Sequence, residues 1–558
     1  MKKNLQFPKS IFINIISNSN IENLYNCLLV NKNLCEIVIP ILWETPFEYL
    51  YDKLLPDWRK VSALIQVYVS CLSNETKSIL ERSGINKKLS IIPPPTFNYV
   101  SFLKSLDYRL IFDSVVVWLN NSDKTAQRST NQHYLIVKEL FKLFFNNIKY
   151  LESFVCKFRP NLINHKLFPN YITLLNLPGA QKHFSYLNRF VIRDIIPTEW
   201  CNEIIQKAQK IQEIEVDLSE CYEDDEMIAE LIIKQPNLSK ITISSRQKLP
   251  CISDALKHKV KSLNIINIFP NISVNLKGLS ECSNLIELNL SSEEFISKAT
   301  FEFFVCSKFS QLKKLYLNFN NLYLDQISTL IRNTHSLQDI YLKFDLIQGS
   351  KHSADFINAI VDNCPNLINL QAIIPDDEIS RLPNLFASCK KLENVICLDG
   401  NYKDMDLIDI SETLLEMGKV VQPNLRKFIT RSCWTFSSEA LNSFLENYEK
   451  KRYNKYKQLE LKIKTNDYDD RIPIIEKFGR KGVLSINNWK NKFKEYYNNK
   501  FIDSSIGLED SWSWQHDWII LSCEEEEDDH RYFHREDDSK LISDVVEEFI
   551  QKKPYQKF

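Results

Sequence analysis

The feature that most constrains this chain is a frame, Leu-x-x-Leu-x-Leu with Ile, Val or Phe also allowed, that recurs through most of its length. The clearest copies are Leu285/Leu288/Leu290, Leu312/Leu315/Leu317, Leu337/Ile340/Leu342, Leu238/Ile241/Ile243 and Leu263/Ile266/Ile268. Looser ones are Leu151/Phe154/Cys156, Leu187/Phe190/Ile192, Ile211/Ile214/Val216, Leu367/Leu370/Ala372, Leu392/Val395/Cys397, Leu425/Phe428/Thr430 and Tyr456/Leu459/Leu461. Frame starts run from 151 to 456, about 28 residues apart, a period within the range of leucine-rich repeats. One copy carries the longer pattern, with Asn320 and Leu322 following Leu317. Three frames open on the same turn, Pro236-Asn237-Leu238, Pro365-Asn366-Leu367 and Pro423-Asn424-Leu425, where proline stops the preceding helix.

Between frames the apolar spacing changes to that of a helix, as in Ile327, Leu330, Ile331 and in Phe356, Ile360, Val361. Period 2 alternating with period 3.6 at a fixed repeat is the pattern of a strand-plus-helix solenoid. The expected fold is therefore α/β: a small helical N-terminus, a helical linker region, and a leucine-rich-repeat solenoid built on a curved parallel sheet. The expected divisions are 1–46, 47–150, 151–523 and an acidic, charged tail at 524–558.

The N-terminal part reads as helices. Pro8 precedes the stripe Ile11, Phe12, Ile15 and Ile16, and Ser19-Asn20-Ile21-Glu22 fits a capping box. The helix it opens carries Leu24, Cys27 and Leu28 and is expected to continue into Leu29 and Val30. Further on, Val61, Leu64, Ile65, Tyr68, Val69 and Leu72 form one helical stripe, and Leu135, Ile136, Glu139, Leu140, Leu143 and Phe144 another. Pro93-Pro94-Pro95 breaks regular structure between them.

Several chemistries are closed to this chain. It has 9 glycines in 558 residues, and no two lie closer than Gly479 and Gly482. Phosphate-cradling loops, dinucleotide fingerprints and nucleophile elbows all need glycines in closer or differently spaced sets. The 14 cysteines include no Cys-x-x-Cys, so ribbon-type zinc sites and dithiol redox chemistry have no support. A scattered set of this kind, behind an N-terminus without a secretory apolar core, implies reduced thiols and a cytoplasmic or nuclear protein. A net charge of -1 carries no global bias toward nucleic acid or anionic membrane. His530 and His534 have helical metal-ligand spacing but sit beside the acidic run Glu524 to Asp529, where a solvated charged segment accounts for them. Gly479-Arg480-Lys481-Gly482 is read as a turn rather than a phosphate-backbone clamp.

In each strand the frame residues face the core and the intervening ones face outward. The outward set includes Lys157, Arg189, Arg193, Glu213, Glu215 and Asp217, then Ile265, Asn267, Phe269, Glu287 and Asn289. It continues with Lys314, Tyr316, Asn318, Asp339, Tyr341 and Lys343, and ends with Lys427, Arg431, Glu460 and Lys462. Charge changes sign along this row, which points to a polypeptide ligand rather than a uniform polyanion. Phe269, Tyr316 and Tyr341, with Lys314, Asp339 and Lys343 around them, are the candidate substrate-binding residues on this concave face. Large rigid aromatics bury area at low entropic cost.

The N-terminal residues resemble an F-box. Phe7-Pro8, Ile11, Ile15 and Ile16 match its opening, and Leu24-Tyr25-Asn26-Cys27-Leu28-Leu29-Val30-Asn31-Lys32, Cys35 and Leu42-Trp43 match its continuation. With the repeats, and with Phe97-Asn98-Tyr99-Val100-Ser101-Phe102, the chain resembles the fungal F-box proteins that carry leucine-rich repeats. The resemblance implies docking to a Skp-family adaptor, and through it to a cullin, in a cullin-RING (SCF-type) ubiquitin ligase whose repeats hold a protein substrate. By position, Pro8, Ile11, Ile15, Leu24, Leu28, Leu29 and Val30 are then the candidate adaptor-binding residues or the small core behind them. No catalysis, cofactor or metal is required of such a subunit, whose contribution is proximity. Phe7 and Leu34 depart from the family pattern, and a leucine-rich scaffold without a ligase role is the alternative reading.

Overall fold

The computed structural model describes residues 21–51, 58–85, 89–120, 130–158, 172–194, 198–218, 225–245, 249–269, 279–292, 301–302, 305–307, 309–321, 323–345, 355–398, 407–431, 433–452, 458–463, 471–485 and 519–520. They fall in two compact units, one within Met1–Leu238 and one within Ser239–Glu527.

The first unit opens with the helices Ile21–Leu28, Lys32–Leu42, Pro46–Tyr51, Trp58–Ser70 and Asn74–Arg82. The first of these ends at Leu28 rather than running on. Asn31 starts the next one, its side-chain oxygen accepting the Leu34 N–H at 2.9 Å. The stripe Val61, Leu64, Ile65, Tyr68, Val69 and Leu72 is buried throughout, as its spacing requires. Tyr68 sits in an aromatic cluster with Trp43, Phe47 and Phe144, at centroid separations of 5.8, 5.9 and 5.1 Å, and Tyr99 lies 4.1 Å from Trp43. The helices Tyr108–Asn120 and Thr130–Asn147 complete this layer, and Trp118 Nε1 donates to Gln66 Oε1 at 2.7 Å.

The sheet of this unit begins before the first frame. A short strand, β1 (Ser105–Asp107), pairs in parallel with β2 (Ser153–Phe158), which pairs with β3 (Arg189–Asp194) and β3 with β4 (Glu213–Asp217). Three residues are too few to show an alternation, and all three are buried, so no sequence period marks β1.

The second unit holds β5 (Lys240–Ser244), β6 (Ile265–Phe269), β7 (Glu287–Ser292), β8 (Lys314–Asn321), β9 (Asp339–Asp345), β10 (Asn369–Ala372) and β11 (Asn394–Cys397). Two residues of β12 (Ile408–Asp409) pair with β14 (Trp434–Thr435) in a separate parallel ribbon. The main sheet continues from β11 to β13 (Lys427–Ile429) and β15 (Glu460–Ile463), all parallel, and closes on the antiparallel β16 (Ile519–Ile520). Helices such as Pro250–Lys257, Leu324–Arg332 and Phe356–Asn363 lie between successive strands. The fold is thus a leucine-rich-repeat strand/helix solenoid, with sequential strands as neighbours.

Frame leucines make the core. Leu285, Leu288, Leu312, Leu315, Leu317 and their counterparts are buried, each contributing about 1.5–3 kcal/mol by leaving water. Polar side chains brace one repeat against the next. The buried Gln235 accepts from the Ile211 N–H at 3.2 Å and donates to the Ala208 carbonyl at 2.9 Å, while Gln422 donates to the Phe386 carbonyl at 2.7 Å.

Two expectations about the repeats are also corrected by the structure. The last frame is shifted by two residues: Phe428 is in register with Leu461, so Leu461 rather than Leu459 takes its second position. Arg431 does not face outward. It is only 1% exposed, and its Nη1 donates to the Ile374 carbonyl at 2.8 Å and to Asp376 Oδ1 at 2.6 Å. Strand β13 ends at Ile429, so the alternation that would turn Arg431 outward has already stopped.

Candidate protein-binding face

In the second unit, parallel register stacks the outward residues into rows that cross the strands. The first row is Lys240, Ile265, Glu287, Lys314, Asp339, Asn369, Asn394, Lys427 and Glu460. Several of its charged groups are partnered within the row. Lys314 Nζ lies 3.6 Å from Glu287 Oε2, and Lys427 Nζ lies 3.6 Å from Glu460 Oε1. Asn369 donates to Asp339 Oδ1, and Asn394 donates to Asn369 Oδ1 at 2.6 Å, forming a short amide ladder.

The second row carries no charge from β5 to β13. It reads Thr242, Asn267, Asn289, Tyr316, Tyr341, Gln371, Ile396 and Ile429, all half-buried. Tyr316 and Tyr341 are paired in register, with ring centroids 6.0 Å apart and planes inclined by 35°. Asn267 Nδ2 donates to Thr242 Oγ1 at 3.3 Å, whereas the buried Asn267 Oδ1 has no hydrogen-bond partner. A third row includes Ser244 with Phe269, and Ser291 with Asn318 and Lys343.

The structure therefore brings Lys314, Asp339, Tyr316, Tyr341 and Lys343 onto two adjacent strands. Phe269 stands apart, one row further on and separated from β8 by β7. Thr242, Gln371, Ile396 and Ile429 belong to the same surface and are absent from the sequence-derived set. The signal for them is present in the sequence, since each is the residue between the second and third apolar positions of its own frame.

In the first unit, the outward charges are consumed more completely. Arg189 contacts Glu213 at 3.3 Å and Glu215 at 2.6 Å, and Arg193 reaches Glu215 at 3.4 Å. The outward positions Val155 and Val191 are buried beside them.

Of the N-terminal candidates, Leu24 and Leu28 are buried, whereas Leu29 and Val30 are 62% and 65% exposed. They follow directly on the helix Ile21–Leu28, in the turn before Asn31. Pro8, Ile11 and Ile15 lie outside the described residues, as do His530 and His534. Gly479-Arg480-Lys481-Gly482 is the C-terminal turn of the helix Ile472–Arg480, with Gly482 at φ +64°. Among the described residues, no group of His, Cys, Asp or Glu is placed to hold a metal ion, and no helix is long and apolar enough to cross a membrane.

No protein-family model matches the chain, and no curated protein is detectably similar to it. Among solved structures, it is similar to the yeast Rad7–Elc1 complex, with 16% identity and a TM-score of 0.32 over 55% of this chain and 79% of that one. It is also similar to an internalin from Listeria monocytogenes, with 10% identity and a TM-score of 0.30 over 72% of this chain and 88% of that one. At such scores the matches add no argument, and the fold rests on strand register and burial.

Proposed function

We propose that the chain is a non-catalytic substrate-recognition subunit of a cullin-RING ubiquitin ligase, working in the cytoplasm or nucleus. Its N-terminal helices dock a Skp-family adaptor and its repeats hold a protein substrate. The observation that carries the reading is the pair Leu29 and Val30. Two adjacent large apolar side chains stand in solvent directly after a helix whose own stripe, Leu24 and Leu28, is already buried. Packing within the unit therefore does not account for them, and they coincide with the segment that resembles an F-box.

The test is capture of the purified full-length protein by a Skp-family adaptor, with Leu29→Ala/Val30→Ala as the variant. Both side chains are exposed, so the variant is expected to fold as the parent does, and capture is expected to fall by about tenfold or more. Equal capture of parent and variant removes the assigned surface. Capture of neither removes the ligase role and leaves a repeat scaffold.

A further inference from the structure

The second row of outward residues differs from its surroundings in a way that bears on what the repeats hold. Most ionic groups on the strand face sit in the first row, where several are paired: Glu287 with Lys314, Lys427 with Glu460, Asp339 with the amide ladder, while Lys343 stands exposed in the third row. A charged ligand seated on the first row would have to break those pairs. Across eight strands the second row instead offers a hydroxyl, three carboxamides, two adjacent phenol rings and two aliphatic side chains.

One atom in this row already lacks what a ligand would bring. Asn267 Oδ1 is buried and accepts from no donor, while the amide nitrogen of the same side chain is committed to Thr242. An unsatisfied buried acceptor costs about 1–3 kcal/mol, which an incoming N–H would recover. Backbone N–H groups of a polypeptide are the commonest neutral donors, and Asn289 and Gln371 stand ready for others in the same row. Where the amides end, Ile396 and Ile429 provide an apolar floor suited to an aliphatic side chain.

Building on the ligase reading, in which the repeats hold a protein substrate, we propose that the second unit binds an extended, uncharged polypeptide segment lying across the strands along the row Thr242–Asn267–Asn289–Tyr316–Tyr341–Gln371–Ile396–Ile429. The segment is recognised without a phosphate or an acidic mark. Strands spaced about 4.8 Å apart give the row a span of about 34 Å, which an extended chain covers in about ten residues.

The experiment is selection of random twelve-residue peptides, with phosphoserine included in the alphabet, on the full-length protein. Affinities of the selected peptides are then measured against variants. The expected peptides carry no net charge, and their affinity changes by less than about threefold between about 50 and 500 mM NaCl. Tyr316→Ala/Tyr341→Ala weakens them by about tenfold or more. Asn267→Ala weakens them, while Asn267→Asp, which keeps an acceptor oxygen, retains more of the binding than Asn267→Ala. Gln371→Glu, a change of one half-buried amide to a charge, serves where the tyrosine variant fails to fold, and it also weakens binding.

Selection of acidic or phosphorylated peptides, steep salt dependence, or peptides indifferent to both Tyr316→Ala/Tyr341→Ala and Gln371→Glu would each overturn the proposal. So would failure to select any peptide. Adaptor capture reads residues 29 and 30 in the other unit, so loss of that interaction with peptide binding intact refutes the ligase role alone.

Discussion

The carboxylate of Glu378 caps a helix that it does not belong to. The helix Phe356–Asn363 begins after Asp355, the residue type and position that local rules assign to the cap, yet the Asp355 side chain makes no capping bond and pairs with Arg332 instead. The first two helical N–H groups are satisfied from the next repeat. Phe356 N–H donates to Glu378 Oε1 at 2.9 Å and Ile357 N–H to Oε2 at 2.6 Å. Glu378 is fully buried, as are Phe356 and Ile357. Glu378→Ala leaves two buried donors unpaired, each costing about 1–3 kcal/mol, while relieving the desolvation of one carboxylate. The net loss should be about 2–4 kcal/mol, with Glu378→Gln in between because one acceptor oxygen remains. Asp355→Ala, which removes a half-exposed ion pair, should cost less than about 1 kcal/mol. A chain of two units need not unfold in one step, so the readout is local. Hydrogen exchange of peptides covering 356–364 should speed up strongly in Glu378→Ala and barely in Asp355→Ala. Equal effects of the two, or unchanged protection in Glu378→Ala, would refute capping across the repeat boundary.

Three further outcomes are expected. Gly179 has φ +86°, and a Cβ there would lie 2.8 Å from the Phe145 carbonyl oxygen, so Gly179→Ala should destabilise the first unit by about 1–3 kcal/mol in urea unfolding. The same carbonyl accepts from His183 Nε2 at 2.9 Å, and burial holds the His183 pKa below its ordinary value. The unfolded chain therefore binds the proton more readily than the folded one. The His183 contribution is complete above the unfolded value near 6.5 and is lost as pH falls below it, and His183→Gln should flatten that acid slope in urea midpoints. Burial pushes the thiols of Cys201, Cys282, Cys364 and Cys389 up to about 12, whereas Cys306 is exposed. Mass-mapped alkylation of the native protein at about pH 8 should label Cys306 well ahead of those four.

The repeats are legible because burial imposes one rule on every strand. A leucine at the second frame position has only one face to occupy, so the spacing reports the register directly. Legibility fails where the strand is short or has ended. Placing Arg431 outward extends an alternation two residues past Ile429, and β1 escapes notice because Ser-Leu-Asp shows no period. The ionic and amide rows follow from parallel register, since one position in each frame always meets the same position in the next. Pairing partners across the row, such as Lys314 with Glu287, follow from that rule. The orphan oxygen of Asn267 does not, because it depends on which atom of the amide turns toward Thr242. At the N-terminus, the helical stripe marks Leu24 and Leu28 as core, but only the helix ending at Leu28 separates them from Leu29 and Val30.

The start of the sheet has a mechanical implication for the first unit. Lys104 and Ser105 donate their N–H groups to the Glu44 carbonyl at 3.0 and 3.4 Å, Lys104 Nζ lies 2.8 Å from Glu44 Oε1, and the Ser105 hydroxyl donates to Glu48 Oε1 at 3.0 Å. Together with the ring contacts of Trp43 with Tyr68 and Tyr99, these bonds tie the N-terminal helices directly to the edge strand. A flexible tether samples a cloud of positions and dilutes whatever it carries, whereas a welded joint keeps a fixed bearing. A partner gripping the exposed corner at Leu29 and Val30 would hold β1 through β4 as a handle holds a blade, so that lengthening the chain near residue 45 should alter the reach of the first unit without touching either surface.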